Sequence, residues 1–367
     1  MHGVITIETG ELKDRIHLTI HDTVMKNILI IRLSAIGDVV MASPLIEALK
    51  RTYSDVRVSW LVESPSKAIL EANPDLYEVI VWPRNRWREL NRKKRYWTLF
   101  REIITFTRDL RRRNFDLVVD AQGLFKSGIW AYLSGAPERV GIGSKESSQR
   151  LMTQVVDRSV ASDKISSQYL LLAVALGLDV TEFRMNIPIS DDAIKYGNRL
   201  AYTLDSPYAV FCPFTTRPQK HWIEERWKEL LDVFEDKMGH AVVLLGGPAD
   251  KAASERIMSE ETPRWVNLTG RTSLQQAAAV MKQADVVIGV DTGLTHMGIA
   301  LDVPTIALFG ATAPYLNTEG TSGTVLYHPH ECSPCRRNPI CDDLFPCMDA
   351  ISTDEVIRTA RVLLRAQ

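Results

Sequence analysis

No apolar run in this 367-residue chain approaches the roughly 20 residues needed to cross a bilayer, and nothing at the N-terminus resembles a signal peptide. The expectation is a cytoplasmic protein, at most peripheral to a membrane. Net charge is scarce too: at −1, the chain as a whole has no electrostatic reason to seek nucleic acid. Nucleotide fingerprints are incomplete. Gly141-Ile142-Gly143 has no third glycine, Gly246-Gly247-Pro248-Ala249-Asp250 lacks the full dinucleotide spacing, and no Walker sequence is present. These gaps argue against a nicotinamide enzyme and against ATP-driven phosphoryl transfer. Cysteines number five: Cys212, alone in a strand-like run, reads as a buried apolar filler, while Cys332, Cys335, Cys341 and Cys347 form a C-x2-C-x5-C-x5-C cluster. Four thiols so close can hold a structural zinc, but the second pair is wider than a usual knuckle, and packed or redox-labile thiols are the other reading. A reducing compartment disfavours stable disulfides.

What is present is an α/β pattern. At roughly 150 residues per domain the length predicts two domains, each able to bury a core. Strands alternate with helices throughout, the signature of parallel sheets with crossover helices. Strands are expected at 28–33, 57–62, 79–82, 116–120 and 139–142, then at 208–214, 241–247, 265–269, 285–291 and 305–309. This predicts an N-terminal domain over 25–190 and a C-terminal domain over 206–350, joined by a linker, with an extension of doubtful role over 1–24. The tail, 351–367, has Val356, Ile357, Ala360, Val362 and Leu363 at helical spacing and is expected to cross back onto the first domain.

Two loops stand where doubly wound sheets place reactive groups. Ile28–Leu33 runs into Ser34-Ala35-Ile36-Gly37-Asp38, and Asp285–Val290 runs into Asp291-Thr292-Gly293-Leu294-Thr295-His296. The second reads as a strand, a tight turn and a helix N-terminus, whose free N–H groups and dipole suit a diphosphate. Asp38 at a helix start most often only caps the helix, but a carboxylate there can also take a proton from an acceptor hydroxyl. Pro213 to Trp222, with Thr215, Thr216 and Lys220, is a further strand-end loop rich in hydroxyls and cations. Between Arg84 and Arg113, twelve Lys or Arg oppose three acids, a local +9, interleaved with Trp87, Tyr96, Trp97 and Phe100. That run is either a solvated helix face or a surface for an anionic, partly apolar partner.

On four blocks the chain resembles the ADP-heptose lipopolysaccharide heptosyltransferases: Arg32 to Val39, Asp120-Ala121-Gln122-Gly123-Leu124-Phe125-Lys126-Ser127, Thr215 to Trp222, and Asp291 to His296. The second block, preceded by Arg86-Trp87-Arg88, resembles the type I enzymes, which add the first heptose to Kdo on lipid A; the cysteine-rich segment looks more like type II, which acts on that first heptose. The resemblance implies a GT-B architecture, two Rossmann-like doubly wound parallel-sheet domains facing across a cleft.

Carried over residue by residue, it implies Asp38 as catalytic base and Lys220 as the second catalytic residue. Thr215, Thr216, Asp291, Thr292, Gly293, Leu294 and His296 would bind the ADP-heptose donor. Ser34, Gly37, Arg86, Arg88, Gln122 and Lys126 would bind the acceptor, Kdo-lipid A, with the basic segment meeting the inner membrane face. His296 as a plain core histidine is the competing reading. The implied reaction inverts the anomeric centre, uses no cofactor or metal, and requires closure of the two domains. Two rivals would behave differently: a nucleotide-sugar epimerase would turn over donor alone, and a non-catalytic nucleotide-binding scaffold would tolerate loss of Asp38.

Overall fold

The computed structural model describes residues 25–365 apart from 144–145, 159–163, 260–261, 313–314, 316–317, 319–322, 336–337 and 343, so the expected 1–24 extension lies outside the described residues. The chain divides into two compact units at Met185/Asn186, with residues 164–165 falling in the second. Each unit is built on one six-stranded sheet in which every strand pair is parallel.

The first sheet contains β1 (Asn27–Ile31), β2 (Arg57–Glu63), β3 (Leu76–Trp82), β4 (Leu117–Asp120), β5 (Glu138–Ile142) and β6 (Gln154–Val156), in the order β3-β2-β1-β4-β5-β6. The second contains β7 (Tyr208–Cys212), β8 (Ala241–Leu244), β9 (Trp265–Asn267), β10 (Val286–Val290), β11 (Thr305–Phe309) and β12 (Gly323–Tyr327), in the order β12-β11-β10-β7-β8-β9. Numbered within its own unit, each sheet has the doubly wound order 3-2-1-4-5-6. The central strands β1, β4, β7 and β10 are apolar apart from Asn27 and Asp120 at the strand ends, because helices cover both faces of a parallel sheet; all but Asn27 of these strands is buried.

The ten expected strands are all found. The two that sequence reading missed, β6 and β12, are the last strand of each sheet, and each lies at a sheet edge. β6 is only three residues long, and neither strand has the fully buried character of the central ones.

The tail departs from expectation. The helix Thr353–Arg365 packs within the second unit: Val356, Ile357 and Ala360 join Trp227, Phe234 and Leu308 in its core. Polar ties fix it there, since the Trp222 indole N–H donates to Ile351 O at 3.0 Å and Arg226 donates to Asp349 O at 2.6 Å. Its apolar stripe is satisfied by the nearest open face, that of its own sheet. The expected linker is likewise docked: Ser190 N–H donates to Gln275 Oε1 at 2.8 Å, and the helix Asp191–Leu204 follows within the second unit. Cys212 is buried in β7, as expected.

Gly289 in β10 controls how closely the next helix approaches the sheet. A Cβ there would lie 2.2 Å from Thr295 Oγ1 and 2.8 Å from Cys212 Cβ. Thr295 in turn donates to Val290 O at 2.6 Å, tying the helix Gly293–Ala300 to the strand before it. Gly289→Ala is therefore expected to destabilise the second unit by about 1–3 kcal/mol, the usual cost of overpacking, read as a lower Tm; an unchanged Tm would mean that the helix can shift without cost.

Candidate active site

In the first unit β1 delivers Asp38 to the third residue of the helix Ile36–Ala42. Its Oδ2 accepts two bonds, from Ala35 N–H at 3.1 Å and from Arg32 Nη2 at 2.5 Å. Capping and ion pairing thus fall on the same oxygen, and Oδ1 accepts no hydrogen bond among the described residues. The Asp38 side chain is 33% exposed and that of Arg32 only 9%, so a buried cation orients a carboxylate whose second oxygen is open.

The neighbouring loop follows β4, on the other side of the strand-order reversal. Asp120 is fully buried there; Oδ1 accepts from Gln122 N–H (3.0 Å) and Gly123 N–H (3.1 Å), and Oδ2 lies 3.0 Å from Ser127 Oγ. Burial pushes its pKa up to about 6 despite these donors and the nearby charge of Arg32. Gln122 Oε1 accepts Leu33 N–H at 2.9 Å, so this expected acceptor ligand turns one end inward to brace the base loop.

Ser34 and Lys126 come together, with Lys126 Nζ 3.2 Å from Ser34 Oγ and 3.0 Å from Glu63 Oε1. Glu63 was missed by sequence reading although it ends β2 at the same sheet edge. It also accepts from Arg84 Nη1 at 3.0 Å. Gly37 sits in the first turn of the base helix. Arg86 and Arg88 do not join this cluster: both are exposed on the helix Arg84–Arg92, Arg86 faces Glu102 at 3.4 Å, and the intervening Trp87 turns inward onto Trp82, Phe106 and Trp130.

In the second unit the loops after β7 and β10 meet. Thr215 Oγ1 donates to Asp291 O at 3.4 Å, Thr216 is exposed, and Lys220 Nζ lies 2.5 Å from Asp291 Oδ2. The same oxygen accepts from Thr312 Oγ1 at 2.5 Å, while Oδ1 faces His296 Nε2 at 3.3 Å. Burial alone would raise the Asp291 pKa; His296 and Lys220 outweigh it and hold the carboxyl well below its ordinary value. The carboxylate can only accept, so Nε2 of His296 is the donor to it, and Nδ1 lies 2.7 Å from Tyr315 Oη. His296 is buried, but as part of this polar chain and not as an apolar core residue. Thr312 and Tyr315 escaped sequence reading; their signal was the loop after β11, which flanks β10 on the same edge.

Thr292 precedes the helix Gly293–Ala300, so the backbone N–H groups of Gly293 and Leu294 belong to its first turn, where an α-helix leaves them without intrahelical partners. Among the described residues no group of three His, Cys, Asp or Glu is arranged to hold a metal, the clustered cysteines included.

A family model described as Glycosyltransferase family 9 (heptosyltransferase) matches residues 103–341. Lipopolysaccharide heptosyltransferase 1 of Pseudomonas aeruginosa is 29% identical, over 84% of this chain and 85% of its own length. Its Salmonella typhimurium namesake is 28% identical over 79% and 90%. The solved structure of the Escherichia coli heptosyltransferase WaaC with ADP-2-deoxy-2-fluoro heptose superimposes with a TM-score of 0.71 at 25% identity, covering 92% of this chain and 99% of that one.

The two carboxylates, Asp120 and Asp291, give opposite pH signatures. Asp120, with its folded pKa raised to about 6, binds its proton more tightly when folded, so its contribution to stability falls as pH rises from about 4 to about 6. The depressed Asp291 contributes fully above about pH 4, and that contribution is lost as pH falls below it. Asp120→Asn should flatten the decline in Tm between pH 4 and 7. A variant whose Tm profile parallels the parent's would remove Asp120 as its source.

Proposed function

The chain belongs to glycosyltransferase family 9, the heptosyltransferases, and from that premise we propose that it moves a heptose from ADP-heptose to the Kdo region of lipid A, as a type I enzyme. The observation that carries the proposal is the pairing of chemistries at the two strand-order reversals. The first unit offers a carboxylate with one oxygen anchored and one open. The second offers a lysine and a helix N-terminus.

In this reading Asp38 Oδ1 takes the proton of the acceptor hydroxyl as its oxygen attacks the anomeric carbon of the heptose. The bond from that carbon to the diphosphate oxygen breaks on the opposite side, its electron pair leaves with ADP, and the centre is inverted. Negative charge grows on the departing oxygen, where Lys220 and the first-turn N–H groups of Gly293 and Leu294 offset it. Thr216 adds a hydroxyl donor, and Thr215 adds another by turning its hydroxyl from the long bond to Asp291 O. Asp291 keeps Lys220 in place, and the His296–Tyr315 chain keeps Asp291 ionised and oriented. Lys126 and Ser34 are read as acceptor contacts beside the base.

The basic segment is read as the surface that meets the membrane carrying lipid A. No helix among the described residues is long and apolar enough to cross a membrane. The helix Tyr96–Arg111 instead exposes Tyr96, Trp97 and Phe100, at 60%, 71% and 53%, amid cations. Arg92, Lys94, Arg95, Arg101 and Arg108 have no ion-pair partner among the described residues. Exposed rings beside unpaired cations suit an anionic headgroup layer.

ADP release should appear with Kdo-lipid A and not with donor alone; release only with an acceptor already bearing one heptose would make the enzyme type II. Asp38→Asn should cut transfer roughly 10²–10⁴-fold, the usual worth of a general base, with ADP affinity nearly unchanged. Transfer at the parent rate would remove Asp38 from the mechanism. Lys220→Ala should lower kcat about 10²–10³-fold without loss of fold, and unchanged kinetics would place the leaving-group contact elsewhere. Replacing both Trp97 and Phe100 by Ala should weaken binding to anionic vesicles while leaving turnover of a detergent-dispersed acceptor intact; equal vesicle binding would assign those rings another role.

A further inference from the structure

Arg158 has no role in the chemistry above, yet it reaches the base loop. It follows β6, the edge strand that sequence reading missed, and its Nη2 donates to Gln122 O at 3.2 Å. Arg32 Nη1 lies 3.4 Å from the preceding carbonyl, that of Ala121. Two guanidiniums therefore lie on consecutive carbonyls at the end of β4, one of them already committed to Asp38.

The loop is shaped to admit the second guanidinium. Gly123 has φ +65°, and a Cβ on it would lie 3.3 Å from Arg158 Nη2 and 2.5 Å from Ile142 O. The glycine of the Asp120–Ser127 block thus answers both to a left-handed backbone and to the close approach of this arginine. The residue as a whole is exposed, but its head group reaches inward, where burial, aided by the like charge of Arg32, lowers its pKa against the opposing pull of Tyr169, Asp38 and Asp120. No carboxylate pairs with Arg158 among the described residues. An inward-reaching, unpaired guanidinium beside a base with a free oxygen is an electrostatic arrangement that a ligand anion completes.

We propose that Arg158 binds the carboxylate of the acceptor sugar and so holds the acceptor hydroxyl against Asp38. A guanidinium fork matches a planar carboxylate, and a singly charged group is favoured over a phosphate because Asp38 and Asp120 lie nearby and would repel a dianion more strongly. The donor diphosphate has its own cradle in the second unit. This assignment rests on the transferase reading, with a sugar-acid acceptor.

The test crosses Arg158→Gln with an acceptor whose Kdo carboxylate is converted to the amide. The parent should lose about 10–100-fold in kcat/KM on the amide, and Arg158→Gln a similar factor on the acid, mostly through the acceptor KM. Arg158→Gln should then distinguish acid from amide by less than about threefold. Retention of the parent's discrimination, or a rise in donor KM instead, overturns the proposal. ADP titration checks that the variant is folded; if it is not, Arg158→Lys, which keeps the charge and loses the fork, is carried through the same cycle with a partial loss of discrimination expected and full retention counting against the proposal. Calorimetric binding of free Kdo to the parent and to the variant separates the two levels. Binding by the parent alone upholds the subsite even if transfer is not seen, and equal binding by both overturns it even if transfer is.

Discussion

The constraint on which the rest depends is the reversal of strand order at the centre of each sheet. In an order of 3-2-1-4-5-6, the chain leaves the two central strands in opposite directions, so the loops at their carboxyl ends diverge and leave a crevice. In the first unit those loops follow β1 and β4; in the second they follow β7 and β10. The four sequence blocks that pointed to a function are those four loops. Parallel pairing makes this possible, because it puts the carboxyl ends of all strands at one edge.

Each crevice contains a carboxylate paired with a cation at 2.5 Å, and the division of labour differs. Arg32 is buried and orients Asp38, whose other oxygen accepts no hydrogen bond among the described residues. Asp291 is buried within a chain of donors and orients Lys220, which keeps its charge near the helix N-terminus. A buried ion pair is a weak argument for stability. In the proposed mechanism its value is directional: one partner is held fixed so that the other points where the transfer would need it.

Much of this was legible in the chain itself. Apolar runs such as Ile28–Ile31 and Val286–Val290 announced central parallel strands, and the small residues and charges after them announced the crevices. Less legible were residues whose importance comes from a neighbour across the sheet. Gln122 reads as a ligand by type, yet its Oε1 is taken by Leu33 N–H, a partner 89 positions away. Glu63 ends, and Thr312 and Tyr315 follow, strands adjacent to the central ones, and nothing local sets them apart. The edge strands β6 and β12 gave weak signals because neither needs the fully apolar run of a strand covered on both faces.

By itself, the amino-acid sequence determined the alternation of strands and helices, the number of sheets, the placement of Asp38, Lys220 and the Asp291 loop at strand ends, and membership of a family. Those properties depend on local periodicity and on residues close together in the chain. Only the tertiary structure decided which oxygen of Asp38 is free, that Lys220 meets Asp291, that the C-terminal helix completes the second core, and that Arg158 reaches Gln122. Each depends on strand order and on contacts between residues tens of positions apart, whose pairing is set by which buried surfaces fit together and not by any spacing along the chain.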